Sequence, residues 1–257
     1  MESSGDVARR DPGDRHHQRG KYGVDGGNVG VPLFVVVEAG LSGALWWALR
    51  RGRRGIASLA GLASLAVAGI GAGYLYSSGQ GKLATWAEVL DELQLSGNQR
   101  LLDVGCGRGA LLMLAAHRLP AGEAVGADIW RRRDQSGNSR AAAERNATVE
   151  GVSDRVSLVD ADARDLPFPS AAFDVVVSNL VFHNIPSTEG RNRALSEAVR
   201  VLRDGGQLRI VDEGADRYPD VLRNAGCVDI VTRRLDWRTW YGVPGNYQIL
   251  VSARKPI

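Results

Sequence analysis

The sequence predicts an α/β protein: a doubly wound, seven-stranded sheet with one antiparallel strand near the C-terminus, preceded by two transmembrane helices. Three observations predict it. From about residue 82 onward, short apolar runs alternate with helical stretches, the pattern of a parallel sheet with helices on both faces. Before that point, the windows 31–49 and 56–76 hold a single charge, Glu38. The last two strand-like runs are separated only by the turn-like stretch 237–246, so they form a hairpin and turn one strand antiparallel.

A chain of 257 residues is enough for one good-sized domain with an appendage. The 32 Lys and Arg against 29 Asp and Glu leave a net charge of +3, interspersed along the chain, which argues against a dedicated nucleic-acid binder. With 44% hydrophobic and 24% charged residues, wholesale disorder is excluded. Thirty-two glycines exceed the usual ~7 per cent, and the excess needs a structural use. Cys106 and Cys227, the two cysteines, lie too far apart in sequence for a disulfide framework or a cysteine zinc site.

Residues 1–30 balance five acids against five bases, with many Gly and no apolar periodicity, and read as a mobile tail. His16 and His17 there have no partner at ligand spacing. The windows 31–49 and 56–76 form a transmembrane hairpin around the Arg-rich loop 50–55, each close to the ~20 residues that cross a bilayer. The alternative is a buried hairpin of a soluble protein, but the second window has no polar face to lay on a domain surface. A cleavable signal peptide fits poorly, since 30 residues precede the first apolar run. Gly69 with Gly73, and Gly40 with Ala44, offer small-residue faces for helix packing. Trp46, Trp47, Tyr74 and Tyr76 fall near segment ends, where amphipathic rings sit at an interface. Glu38 is costly in mid-bilayer: either it pairs inside the hairpin or the first helix lies shallow. Loop charge does not orient the hairpin, because four Arg in the connection face Arg15, Arg19, Lys21 and Lys82 on the flanks.

The domain spans 82–257. Residues 83–93 read as an amphipathic helix, and the buried run 100–104 as the first strand. A helix over 109–119 ends before Pro120. The strand 123–128 follows, then a helix over 138–151 stopped by Gly151. Strands at 155–160 and 173–179 precede a helix over 189–203, closed by Gly205 and Gly206. Strands at 207–212, 228–235 and 247–253 complete the sheet.

The chemistry sits at the first strand-to-helix turn, LLDVGCGRGALL over 101–112. Gly105, Gly107 and Gly109 let a ligand approach the backbone while the N–H groups of the helix face it. The glycines alone also satisfy a loose dinucleotide fingerprint. Asp103 discriminates: an acid beside this turn suits a cationic amino group better than a pyrophosphate, or else it ties down the turn's own N–H groups. Asp128 ends the second strand, placed either to accept both ribose hydroxyls or to cap the next helix.

These motifs resemble the class I S-adenosylmethionine-dependent methyltransferases, a Rossmann-like family, and within them the type 11 branch. The resemblance covers about residues 82–255 and rests on LLDVGCGRG (101–109), GADIW (126–130), DADARDLPFPSAAFDVVVSN (160–179) and VLRDGGQL (201–208), in order. It implies S-adenosyl-L-methionine as cofactor. Gly105, Cys106 and Gly107 then line its methionine moiety, with Gly109 completing the turn and Asp103 steering the amino group. Asp128 holds the ribose hydroxyls, Ile129 packs on the adenine, Asp162 and Ala163 reach the adenine edge, and Asn179 stands beside cofactor and substrate entrance. The resemblance also places the catalytic domain on the cytoplasmic side, where the cofactor is made.

His183 follows the fourth strand and reads either as a catalytic base or substrate contact, or as a histidine bonded to its own loop. His117 lies inside a helix and reads as structural. Asp212 and Glu213 end the fifth strand on the same rim. Trp237, Trp240 and Tyr241 either shape an apolar pocket, meet a membrane surface or pack ordinarily. Arg50–Arg54 and Arg131–Arg133 either meet anionic headgroups or form exposed charged loops. No aromatics interleave with a basic surface, so no nucleic-acid partner is expected, and no metal site is seen. The expected activity is methyl transfer to a small, lipophilic acceptor at a membrane. The alternatives are a nicotinamide-dependent oxidoreductase, against which Asp103 and the Asp162 motif speak, and a non-catalytic membrane-bound interaction module.

Overall fold

A computed structural model describes residues 19–26, 30–242 and 247–257. Seven strands form one sheet in the order β3-β2-β1-β4-β5-β7-β6. They are β1 (Arg100–Val104), β2 (Glu123–Asp128), β3 (Val156–Asp160), β4 (Phe173–Asn179), β5 (Leu202–Asp212), β6 (Val228–Arg234) and β7 (Ile249–Arg254). β1 to β5 run parallel, and β7 inserts antiparallel between β5 and β6. The hairpin and the single antiparallel strand expected from the sequence are both present.

Alternation along the strands feeds two cores. Leu101, Val175 and Val177 enter one face of the sheet, and Leu102, Val104 and Val176 the other, as the two-residue strand period requires. Near-continuous apolar strands mark a sheet covered on both faces. The chain winds from β1 outward to β2 and β3, then crosses back to β4 on the other side of β1. That reversal between β1 and β4 opens a crevice at the carboxyl ends of the strands, where open α/β sheets bind ligands.

The helices are α1 (Gly30–Arg50), α2 (Arg54–Tyr76), α3 (Lys82–Glu92), α4 (Ala110–His117), α5 (Arg140–Glu150), α6 (Thr188–Val201) and α7 (Tyr218–Asn224). Ser139 caps α5, accepting from the N–H of Ala142, and Gly151 ends it in the left-handed conformation. Helix α7 has no counterpart in the sequence reading: it is seven residues long, too short to show a helical period.

α1 and α2 pack as a hairpin whose apolar side chains face outward; Val36 is 69% exposed and Leu65 72%. Glu38 pairs inside the hairpin, accepting from the Ser64 hydroxyl of α2. The small-residue faces expected to join the helices do not do so. Gly40 and Gly69 have nothing within 4 Å, and Gly73 faces Trp240. Gly71 meets the partner helix instead, against the Phe34 ring; spacing alone does not say which side of a helix faces its neighbour.

α2 does not end at a flexible linker. It runs through a π-helical turn, Ser77–Gly81, straight into α3. The segment 237–241 crosses that turn: Ser77 Oγ donates to the Trp240 carbonyl at 2.6 Å, and Tyr76 stacks on Trp237 at 5.3 Å between centroids. A Cβ at Gly81 would stand 2.0 Å from the Arg238 carbonyl oxygen. The hairpin is thus welded to the domain.

The expectation of a mobile tail over 1–30 is corrected for residues 20–26, which lie on the domain. Tyr22 is buried, and its hydroxyl donates to Glu150 Oε1 at 2.8 Å. Its partners stand more than a hundred positions away, so no local pattern announces them. His16 and His17 lie outside the described residues.

Gly81→Ala is expected to lower stability by about 1–3 kcal/mol, the cost of overpacking a tight contact. Gly79→Ala on the same turn meets nothing within 4 Å and should be neutral or slightly stabilising. Denaturant midpoints of the two variants read the difference.

Candidate active site

The crevice at the carboxyl ends of β1 and β4 is a cavity of about 650 Å³, within the range of small-molecule and cofactor sites. Its floor is the turn after β1. Gly105, Gly107 and Gly109 have φ of +74°, +54° and +84°, a region that only glycine enters without strain. The turn therefore doubles back at once into α4, its N–H groups bonded within the fold: those of Gly105 and Cys106 to the Ala127 carbonyl, that of Gly107 to Asp128 and that of Arg108 to Gln135. Gly109 itself does not line the cavity: it caps α4, and a Cβ there would strike Met113 at 2.6 Å. Its part in the site is to complete the turn.

Asp128 ties the floor to the neighbouring strand. Its Oδ2 accepts the Gly107 N–H at 2.8 Å, and its Oδ1 accepts the Trp130 N–H at 2.5 Å. Asn138 Nδ2 also donates to Oδ1 at 3.4 Å, so Oδ2, with one donor, keeps acceptor capacity for a ligand hydroxyl. The alternative in which Asp128 caps a helix is not what forms; Ser139 is the cap of α5. Burial raises the Asp128 pKa above the usual carboxylate value, while the N–H groups of Gly107 and Trp130 pull the other way.

Asp103 lies at the bottom, 1% exposed. Its Oδ2 has no hydrogen-bond partner among the described residues. Burial, and then the charge of Asp128, push its pKa up to about 8. A buried acceptor without a donor is costly, and a cationic ammonium is the group that would relieve both the missing bond and the like charge. The same environment pushes the Cys106 thiol up, burial first, so this cysteine fills space beside the turn and is not a nucleophile.

Ile129, Asp162, Ala163 and Asn179 also line the cavity. Ile129 is 49% exposed on its wall, an apolar surface that a ring would cover. The Asp162 carboxylate is held bidentately by Arg164, Nε to Oδ1 and Nη2 to Oδ2, and Asn179 Oδ1 accepts the Trp86 indole N–H at 2.7 Å. Both side chains are thus engaged within the fold while bordering the cavity.

His183 stands in a short helical turn, Phe182–Asn184, directly after β4. Its Nδ1 is bonded to Asp212 Oδ1. Asp212, fully buried at the end of β5, also accepts from the His183 and Glu213 N–H groups and from the Tyr218 hydroxyl at 2.9 Å. Burial lowers the His183 pKa, but the hydrogen bond and charge of Asp212 more than offset it, and the net shift is upward. With Nδ1 committed to Asp212, Nε2 is the nitrogen left for the cavity that His183 lines. His117, by contrast, contacts Glu150 at 3.3 Å inside the fold.

Asp25, Lys82 and Gln135 line the cavity without having read as site residues, and Tyr241, from the aromatic cluster after β6, lines it too. Each comes from outside the strand ends, where motif spacing does not reach.

Residues 102–210 match the methyltransferase domain family. The chain is 37% identical over 114 residues to a demethylmenaquinone methyltransferase of Thermus thermophilus, covering 44% of this chain and 47% of the relative. It is also 37% identical over 122 residues to a 27-O-demethylrifamycin SV methyltransferase of Amycolatopsis mediterranei, covering 47% and 40%. The chain spans less than half the length of these curated relatives. Among solved structures, the chain superposes on the cyclase SpnF with a TM-score of 0.55 at 24% identity, over 69% of this chain and 83% of that one. A phosphoethanolamine N-methyltransferase 2 of Haemonchus contortus, in complex with phosphomonomethylethanolamine and S-adenosylhomocysteine, superposes with 0.52 at 18% identity, covering 63% and 50%. These two likenesses show the fold. The orphaned Asp103 oxygen fits the ammonium group of an amino-acid tail.

Because the folded pKa of Asp103 is raised from 3.8 to about 8, the ligand-free fold loses stability as pH rises between those values. Asp103→Asn is expected to raise the unfolding midpoint of the ligand-free protein at pH 8 and leave it little changed below pH 4. The same variant should weaken S-adenosylmethionine binding about tenfold or more. Thermal unfolding across pH and calorimetric titration check the two opposite signs.

Proposed function

We propose that the chain is a membrane-anchored S-adenosylmethionine-dependent methyltransferase acting on a lipophilic small molecule whose acceptor atom must lose a proton. The observation that carries this is the His183–Asp212 pair on the wall of the cavity that also contains the unpartnered Asp103 oxygen. Bound S-adenosylmethionine supplies an electrophilic methyl group on its sulfonium. The chain's residues supply the rest. The glycine turn and Asp128 position, and Asp103 receives the amino group. Asp212 fixes the His183 ring so that Nε2 accepts the proton as the methyl arrives, then stabilises the imidazolium. Much of the rate enhancement comes from alignment for in-line transfer.

A lipophilic acceptor is supported from two sides. The relatives' names include demethylmenaquinone methyltransferases and a ubiquinone/menaquinone biosynthesis C-methyltransferase of Cereibacter sphaeroides. Tyr74, near the end of α2, lines the cavity, so the hairpin reaches the site. The hairpin's outward apolar side chains suit lipid better than water, and Arg50 over Trp46 at 4.3 Å gives the far end of the hairpin an interfacial pair. In this reading α1 and α2 span the bilayer, the domain faces the cytoplasm, and Ile129, Asp162 and Ala163 hold the adenine side. Trp237, stacked on Tyr76 and 66% exposed, lies beside the membrane surface.

Methyl transfer from labelled S-adenosylmethionine to reduced demethylmenaquinone and other tailed phenols, with the full chain in lipid vesicles, tests the function. His183→Ala should lower turnover by about 10²–10⁴-fold with cofactor affinity unchanged. The active base is neutral, so the rate should rise with pH through a pKa above the ordinary 6.5 of histidine. Asp212→Asn should move that limb to lower pH and lower the plateau. Turnover unaffected by His183→Ala would remove the base from the account.

A further inference from the structure

Residues 20–26 lie as a strap over the methionine end of the cavity. Gly20 N–H donates to Glu150 Oε1 at 2.7 Å, Val24 N–H to Ser136 Oγ at 2.8 Å, and Gly26 N–H to the Asp134 carbonyl at 2.9 Å. These bonds deliver the Asp25 side chain into a cage of donors. Lys82 Nζ reaches both of its oxygens, at 2.9 and 2.8 Å. The Tyr241 hydroxyl donates to Oδ2 at 2.9 Å, and Gln135 Nε2 to Oδ1 at 3.2 Å. Both carboxylate oxygens therefore hold two donors each, and Lys82 and Asp25 are 6% and 16% exposed.

The cage stands at the glycine turn. Gln135 Oε1 accepts the Arg108 N–H at 2.8 Å and lies 2.5 Å from where a Gly107 Cβ would be. Lys82 is near enough for its charge to act on Asp103. A buried carboxylate with one unpartnered oxygen and a carboxylate-binding cage thus line one cavity. Together they complement an α-amino acid, ammonium against Asp103 and carboxylate against Lys82.

Resting on the cofactor assignment above, we propose that Lys82, Gln135 and Tyr241 form the receptor for the methionine carboxylate of S-adenosylmethionine, and that Asp25 occupies this receptor as an internal surrogate. Binding is an exchange of one carboxylate for another, so the buried Lys82 keeps an anionic partner in both states. The strap stays tied through Tyr22 and Glu150, which holds Asp25 at high effective concentration and makes it a competitor for the cofactor.

Calorimetric titration of the full chain in detergent with S-adenosylmethionine, and with its decarboxylated analogue, tests this. Lys82→Met should weaken S-adenosylmethionine by about 10- to 100-fold and change the decarboxylated analogue by less than about twofold, which also shows that the variant is folded. Asp25→Ala should tighten S-adenosylmethionine by roughly 3- to 10-fold, as removal of a competing carboxylate requires, and leave the analogue unchanged. Equal loss for both ligands in Lys82→Met would overturn the receptor. Looser S-adenosylmethionine binding in Asp25→Ala would overturn the surrogate and make the strap a lid. Failure of the wild-type chain to bind either ligand would instead remove the cofactor assignment and the receptor with it.

Discussion

One buried carboxylate sets the geometry on which the site depends. Asp128 at the end of β2 accepts the Gly107 N–H of the neighbouring turn and the Trp130 N–H of its own. The turn it holds passes through three left-handed glycines, which no other residue type would tolerate without strain. With the bonds from the Gly105 and Cys106 N–H groups to the Ala127 carbonyl, the tie fixes the height of the turn above the sheet. Val181 and Gln135 close onto Gly105 and Gly107. The cavity is as much the product of this clasp as of the gap between β1 and β4.

The site separates two charge environments. At the floor, Asp103 and Asp128 repel each other in a buried setting, an arrangement that waits for a cation. At the rim, Asp212 gathers donors from His183, Glu213 and Tyr218, an arrangement that holds an imidazole in one orientation. The first suits the fixed amino group of a cofactor and the second a proton that moves. Arg131 and Arg133 line the cavity, so part of this basic run serves the site's wall. Arg50 and Arg53 instead lie over Trp46 and Trp47 in the hairpin.

Much of this was legible in the sequence, for a physical reason. Strands buried on both faces must be apolar throughout, so the inner strands β1, β2 and β4 appeared as runs. The more exposed β3 and β6 were legible from their β-branched residues, and the turn after β1 needed glycines that stand out against any background. Asp128 and His183 were legible because strand ends converge. What escaped was non-local. Nothing near Tyr22 points to Glu150, and nothing near Asp25 points to Lys82 or Tyr241. α7 was too short to show a period, and β5 begins at Leu202, where the motif VLRDGGQL reads as a helix end. Gly40 and Gly69 had the spacing of a helix contact but face open space, while Gly71, outside that pattern, carries the contact with Phe34.

The hairpin and the domain share one unbroken helical path from Arg54 to Glu92, so a movement of the hairpin is felt at Lys82 and Trp86. All of this presupposes that the cavity takes a sulfonium cofactor with an amino-acid tail. The most direct measurement is calorimetric titration of the full chain with S-adenosylhomocysteine, with NADH as comparison. The account predicts saturable binding of the former at one site per chain and none of the latter. A folded chain that binds neither, or binds NADH alone, would contradict it.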